Sequence, residues 1–133
     1  VRKQVKLLKR YYSKELNIPE EEIVAFNIVK IKSPSEVVFY LEESSGRSRV
    51  MTHVKRDLSF ISELVNATVT NQELKDCDSN YRNLVVNKLN LLFGMNVCES
   101  DIQYVFLKDN ILNACVSGNS MRFQGDFQIK IIE

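Results

Sequence analysis

Residue types that build catalytic and metal sites are rare in this chain. Its 133 residues include one histidine, His53, three cysteines and no tryptophan. A lone histidine cannot form a histidine-rich metal site, and its spacing to Cys77, Cys98 or Cys115 matches no zinc motif. An odd number of widely spaced cysteines predicts free thiols. We therefore expect no metal, no cofactor and an intracellular location, in the cytoplasm or the nucleus.

Glycine, proline and long apolar runs are also scarce. Four glycines and two prolines leave little material for phosphate-binding loops, and no Walker, nucleophile-elbow or dinucleotide pattern is present. No apolar run approaches the roughly 20 residues that a membrane-spanning helix needs. We expect neither an enzyme with a small-molecule substrate nor a membrane protein.

The bulk composition describes an ordinary globular chain. Hydrophobic residues make up 44% and charged residues 26%, and the net charge is +1. A chain of this size can bury roughly two-thirds of its unfolded surface, which is enough for one core. We expect a single domain over 1–133. Because the chain begins at Val1, within a helix-like pattern, we also expect it to be a terminal domain of a longer intracellular protein.

A short segment occurs twice in similar form. Residues 16–23 read Leu-Asn-Ile-Pro-Glu-Glu-Glu-Ile, and residues 95–102 read Met-Asn-Val-Cys-Glu-Ser-Asp-Ile. Each follows an amphipathic helical stretch and precedes three strand-like runs. The sequence thus predicts an α+β fold, an antiparallel sheet with two or three packing helices. Two copies of a helix-plus-three-strands unit would form halves at 1–67 and 80–133, joined by a polar linker at 68–79.

The individual elements follow from periodicity and turn residues. Gly94 stands where a helix end favours a left-handed residue, and Gly125 indicates a bulge or a close backbone approach inside a strand. The predicted helices are 1–16, 57–67 and 81–93, with a short helical turn at 71–77, and the predicted strands are 22–31, 37–42, 47–54, 102–107, 111–116 and 121–131.

The first helix carries an apolar stripe with two interpretations. Its members recur at spacings of four, three and four residues, which fits a short heptad seam and also fits packing of the helix on its own sheet. Both interpretations stay open at this point. The stripe consists of Val1, Val5, Leu8 and Tyr12.

The limited cover that the helices can give to apolar sheet surface is the main argument for a protein partner. The strand at 22–31 is apolar on both faces, and three helices give limited cover for a sheet of up to six strands. A second chain would supply the missing cover. We therefore predict a non-catalytic protein-interaction or dimerisation module. Its candidate interface residues are Val1, Val5, Leu8, Tyr12, Phe123 and Ile129, whereas Phe127 is assigned to the core.

The same helix supports an alternative function. Six cations precede its first acidic residue, Glu15, and fall mainly away from the apolar stripe. Such a face can neutralise phosphates, and a tyrosine can stack on an unpaired base; it can equally be a solvated surface. The alternative is therefore a module that binds RNA or another phosphate-rich surface. Its candidate residues are Arg2, Lys3, Lys6, Lys9, Arg10, Tyr11 and Lys14.

Two further clusters were considered for catalysis. Glu20, Glu21 and Glu22 are adjacent carboxylates, but they follow Pro19 in a predicted exposed turn with no nearby acid–base partner. Cys98 paired with His53 would be a chemically reasonable nucleophile, yet it also falls at a predicted turn. We predict no catalytic residue.

Overall fold

The computed structural model describes residues 2–33 and 35–133, without the side chains of Arg2 and Ser33. The chain forms two compact units, Val1–Arg56 and Asp57–Glu133, which we call the N-terminal and C-terminal units. Helices and several sheets occur in the same chain, and the predicted α+β class is confirmed. Whether the two units form a single domain remains a prediction.

Each unit contains both helix and strand. Short 3₁₀ turns cover Glu20–Glu22, Ser59–Glu63 and Glu99–Asp101. The helices are α1 (Arg2–Glu15), α2 (Asn71–Asp76) and α3 (Tyr81–Phe93), and the strands are β1 (Ile23–Ser33), β2 (Glu36–Glu43), β3 (Ser48–Val54), β4 (Arg56–Asp57), β5 (Thr68–Thr70), β6 (Ile102–Lys108), β7 (Ile111–Val116), β8 (Phe123–Gln124) and β9 (Phe127–Ile132).

The N-terminal unit is one helix on a three-stranded antiparallel meander, β1-β2-β3. Leu8 and Tyr12 of α1 are buried, and the Tyr12 ring packs 4.6 Å from the Phe39 ring of β2, measured between centroids. Val37, Phe39 and Leu41 alternate along β2 and are fully buried. Their spacing of two places them on one face of the sheet, the face that α1 covers.

Part of the apolar surface of β1 is uncovered within this chain, and its cover by a second chain stays a prediction. Val24, Val29 and Ile31 remain more than half exposed. The register of β1 against β2 shifts at three places, and Val24 and Val29 fall within two of them. Residues at a bulge are left out of the regular ladder, so apolar alternation there does not imply a second buried face.

The C-terminal unit contains a four-stranded mixed sheet in the order β5-β9-β7-β6. β5 runs parallel to β9, whereas the β9–β7 and β7–β6 pairs are antiparallel. α3 contacts β6 and β7, and one continuous core forms between helix and sheet. Its fully buried side chains include Leu58, Val69, Val85, Leu89, Ile102, Leu112 and Ile129.

The two aligned segments adopt the same local structure in both units. Asn17 and Asn96 both have left-handed backbones, with φ of 54° and 58°. A 3₁₀ turn follows each of them, and a strand then begins at a buried isoleucine, Ile23 or Ile102. The carbonyl that ends each turn accepts from the backbone N–H of a serine that follows the second strand after the turn: Ser44 donates to Glu22 at 2.7 Å, and Ser117 donates to Asp101 at 2.8 Å.

Two secondary-structure predictions for the region between the repeated segments, at 57–67 and 68–79, are wrong. The region predicted as a helix at 57–67 forms only the 3₁₀ turn, and Val65, predicted on its apolar face, is 94% exposed. The Asp57 carboxylate accepts the Ser59 N–H at 2.9 Å and so favours a turn there.

The predicted linker at 68–79 is also structured. It contains β5 and α2, with a capping box in which Thr70 and Glu73 satisfy each other's backbone N–H groups. The predicted halves at 1–67 and 80–133 therefore do not coincide with the two compact units. The short helical turn expected at 71–77 is confirmed.

The predicted last strand is divided at Gly125. This residue has a φ of +86°, and a Cβ at this position would overlap the Asp57 carboxylate. The close backbone approach predicted for Gly125 is confirmed, and it separates β8 from β9. The helix end at Gly94 is confirmed as well, with a φ of +61°.

Candidate nucleic-acid interface

The apolar stripe of α1 fixes which side of the helix faces outward. Besides its contact with Phe39, Tyr12 shares a hydrogen bond of 2.8 Å between its hydroxyl and His53 Nδ1 on β3. Burial, with Tyr11 and Glu15 nearby, raises the pKa of Tyr12 to about 12. The hydroxyl is therefore protonated at neutral pH and anchors the helix to the sheet.

Four cations form a single row on the opposite side of α1. Lys3, Lys6, Arg10 and Lys14 follow one another at spacings of three, four and four residues, and all four are exposed. We call this set the basic row. At 1.5 Å per residue it extends over about 16 Å. Lys9 lies beside the row and is half-buried, and the side chain of Arg2 lies outside the described residues.

The basic row carries no compensating charge. Among the described residues, no carboxylate lies within ion-pair distance of Lys3, Lys6, Lys9, Arg10 or Lys14. Like charges four residues apart destabilise a helix, and cations near its N-terminus oppose the helix dipole. A helix selected only for solubility would gain from mixed charges, so this arrangement is more typical of a surface that meets an anion.

Tyr11 lies outside both the basic row and the buried stripe. Its ring is 48% exposed, and it makes edge-to-face contacts with Tyr12 at 4.9 Å and His53 at 6.0 Å. These neighbours hold the ring while leaving part of it open. The sequence-based assignment of Tyr11 as a residue able to stack on a base is compatible with this position.

The formal charges divide unevenly between the units. The N-terminal unit has twelve Lys and Arg residues and seven Asp and Glu, a net charge of +5, whereas the C-terminal unit has six and ten, a net charge of −4. The whole-chain value of +1 hides this separation. The basic row therefore belongs to a unit whose overall field also attracts anions.

The predicted protein-interface residues are mostly internal. Leu8, Tyr12, Phe123 and Ile129 are buried, the last two within the core of the C-terminal unit, and Val5 is half-buried. Val1 lies outside the described residues. The interpretation of α1 as an open seam is therefore corrected, because the sheet already covers its stripe. Phe127 is core, as predicted.

The remaining candidates from the sequence are engaged in structure. Cys98 is buried, with its Sγ 3.4 Å from Arg122 Nη2, and Arg122 also pairs with the fully buried Asp101 at 2.8 Å. The Asp101 carboxylate also accepts a hydrogen bond from the Ser120 hydroxyl. These four side chains form one cluster at the second repeated segment. Within the described ranges, no group of three or more His, Cys, Asp or Glu residues is placed to hold a metal.

One exposed surface was not found from the sequence. Tyr104 and Phe106 of β6 project from the sheet of the C-terminal unit on the side opposite its core, next to a shallow cavity of about 280 Å³. The available signal was that β6 is apolar on both faces, since Val105 and Leu107 alternate with the two aromatic residues.

Comparison of this chain with protein-family models, curated proteins and solved structures gave no match. In the part of the chain that the structure describes, no helix has the length and apolar character to cross a membrane. The geometry of the residues themselves is therefore the basis for a functional assignment.

Proposed function

We propose that this chain is a non-catalytic nucleic-acid-binding module that contacts the sugar–phosphate backbone through α1. The observation that carries the proposal is the basic row, four exposed cations without ion-pair partners among the described residues. The helix is anchored through Tyr12, so the row presents its charges from a fixed support. Tyr11 adds an exposed ring beside them.

The proposal predicts a definite salt dependence. Each phosphate neutralised by Lys or Arg releases counterions, and four contacts give a slope of log K against log salt of about −2.8 for a single strand and about −3.6 for a duplex. The total charge of +1 predicts no such slope. Fluorescence anisotropy with labelled RNA at several salt concentrations measures it.

Charge reversal within the basic row tests the assignment to α1. The double variant Lys6→Glu/Arg10→Glu should lower the magnitude of the slope by about 1.4 for a single strand or about 1.8 for a duplex, and weaken binding at low salt at least tenfold. The matched control is Lys75→Glu/Arg82→Glu, which makes the same charge change at exposed positions of α2 and α3. Equal losses in both double variants, or no binding at low salt, would contradict the proposal.

A second candidate function is self-association through β3. This strand is the outer member of the N-terminal sheet, and Val50 and Val54 are 66% and 64% exposed. An outer strand presents unpaired backbone groups to a strand from another chain. This candidate keeps the predicted dimerisation but moves it away from the buried stripe.

Light scattering after size exclusion, over a tenfold range of concentration, tests self-association. We expect a dimer that Val50→Lys converts to monomer, because a lysine on an outer strand opposes edge-to-edge pairing. Val65→Lys places the same substitution at a 94% exposed position outside the strands and should leave the mass unchanged. A monomer at every concentration removes this candidate.

A further inference from the structure

The outer face of the C-terminal sheet carries two aromatic rings. Tyr104 is 50% exposed and Phe106 is 41% exposed, and their ring centroids lie 5.9 Å apart with planes inclined by 30°. They are two residues apart on β6 and so share a face. The core lies on the other face, where the neighbouring β7 residues Leu112 and Ala114 are buried.

Two amides adjoin the rings on the same face. Asn113 of β7 is paired in register with Phe106 and with Gln128 of β9. Gln128 Nε2 donates to Asn113 Oδ1 at 2.9 Å, and Asn113 Nδ2 donates to the Ile111 carbonyl at 3.1 Å. Among the described residues, the Gln128 Oε1 atom has no hydrogen-bond partner, so the pair can still accept a hydrogen bond from a ligand.

Two lysines complete the face at one end. Lys108 of β6 and Lys130 of β9 stand in register on either side of Ile111, and both are exposed. Within the described ranges, neither has an ion-pair partner. From Tyr104 to Lys108 the strand rises about 13 Å. We call these six residues the aromatic face: Tyr104, Phe106, Lys108, Asn113, Gln128 and Lys130.

The other end of the face holds the acidic and thiol groups. Cys115 is paired in register with Tyr104, and the Asp126 carboxylate accepts the Val116 N–H at 2.9 Å. Both groups raise the pKa of the Tyr104 hydroxyl, with Cys115 as the larger cause. Tyr104 therefore stays neutral, and the negative charge of Asp126 lies at the end away from the lysines.

We propose that the aromatic face binds unpaired bases of a single-stranded nucleic acid. The inference deepens the proposed function and rests on it. Phe106 and Tyr104 supply stacking surfaces, Asn113 and Gln128 meet base edges, and Lys108 and Lys130 neutralise phosphates. A duplex keeps its bases stacked and so cannot use the rings, which makes single strands the preferred ligand class. Although the C-terminal unit has a net charge of −4, the two lysines on this face have no ion-pair partner among the described residues, and they favour an anionic occupant over a protein partner because the centres of protein interfaces are depleted of charge.

The test compares a labelled uridine ten-mer with a duplex of the same length. Phe106→Ala and Tyr104→Ala should each weaken binding of the single strand about tenfold or more while leaving the salt slope unchanged, because neither ring is charged. The same two substitutions should leave the affinity for an abasic oligonucleotide unchanged. Leu91→Ala is the matched control, since Leu91 is an 80% exposed apolar residue on α3 of the same unit. Circular dichroism verifies that each variant is folded.

A footprint provides a second readout on the unmodified protein. The uridine ten-mer should slow alkylation of Cys115, which adjoins Tyr104, and leave Cys77 unaffected. Both cysteines are half-buried free thiols in the same unit, so Cys77 serves as the internal reference. Equal protection of both cysteines, or of neither, counts against binding at this face.

The outcomes separate this inference from the function of α1. If Phe106→Ala and Tyr104→Ala bind the ten-mer as wild type does while Lys6→Glu/Arg10→Glu lowers the magnitude of the salt slope as expected, the aromatic face is rejected and the α1 proposal stands. If the aromatic variants lose binding and the charge-reversal variant does not, the assignment of binding to α1 fails, whereas nucleic-acid binding at the aromatic face holds. If no oligonucleotide binds, both are overturned, and the exposed rings indicate a protein surface.

Discussion

At the scale of single residues, Gly125 combines two constraints that no other amino acid satisfies. Its positive φ disfavours side chains, and a Cβ would overlap the Asp57 carboxylate. We expect Gly125→Ala to lower the free energy of unfolding by at least about 2 kcal/mol. Urea denaturation measures this, with Gly118→Ala as control, because a Cβ at Gly118 meets no atom within 4 Å. Equal effects of the two substitutions would refute the prediction.

The Glu73 carboxylate makes a stability contribution that depends on pH. Its pKa is lowered from 4.5, first by the hydrogen bond with Lys88, at 2.6 Å, and then by the Thr70 N–H. A lowered folded-state pKa means that the contribution is present above the unfolded value and is lost as pH falls through the folded value. The side chain is 35% exposed, so solvent screening limits the effect.

We therefore expect Glu73→Gln to destabilise the protein by about 1 kcal/mol or less near neutral pH. The difference from wild type should shrink as the pH is lowered through the folded-state pKa, which lies below 4.5, because the wild-type carboxylate then also becomes protonated. Urea midpoints at about pH 7 and about pH 3 measure this. Glu63→Gln, at an exposed position of the same unit, should show no such trend. A difference that stays constant with pH would disprove the explanation.

At the scale of elements, α1 carries a buried stripe on one side and the basic row on the other, and substitutions on the two sides should have different effects. Leu8 is 1% exposed, so Leu8→Ala should cost about 2–5 kcal/mol of stability. The loss should not depend on protein concentration, because the stripe packs inside the chain. Denaturation at two concentrations tenfold apart tests this, with the 80% exposed Leu91→Ala as control. A loss that grows on dilution would restore the seam interpretation.

The sequence predicted most elements because periodicity and turn residues are local signals. α3 and β7 match their predicted bounds, and α1 ends one residue before its predicted C-terminal bound. The failures depend on tertiary contacts. The 57–67 segment reads as a helix, but its Leu58 N–H donates to the Gln124 carbonyl and its Ser62 hydroxyl accepts from the Gln128 N–H, and no local pattern contains these contacts.

The two faces of β3 show that predicting the candidate sites also requires knowledge of tertiary contacts. Its alternation was evident, but the valines Val50 and Val54 face outward while His53 faces α1. Tyr12 selects that face through its hydrogen bond to His53, a pairing of residues 41 positions apart. The cations of α1 were identifiable from spacing alone, whereas the aromatic face required the register of three strands.

At the scale of the whole molecule, the repeated helix–turn–strand segment gives a matched pair of experiments. Asn17 and Asn96 have φ of 54° and 58°, and a left-handed backbone costs most residues about 1–2 kcal/mol. Asn17→Ala and Asn96→Ala should each destabilise the protein by about 1 kcal/mol, whereas the glycine variants should retain wild-type stability. Chemical denaturation measures all four variants. If alanine and glycine behave alike at either position, that site does not need its left-handed conformation.

The parallel pairing of β5 with β9 sets an order of events during synthesis. All three strands of the N-terminal unit are joined by short turns, so this unit can assemble as soon as β3 has left the ribosome. Thr68–Thr70 must wait for Lys130–Ile132, about sixty residues later. Until then β7 also lacks its β9 partner and leaves its backbone groups unpaired. A nascent chain halted before β9 would thus contain a complete basic unit and an incomplete, aggregation-prone C-terminal unit, which becomes stable only once β9 has been synthesised.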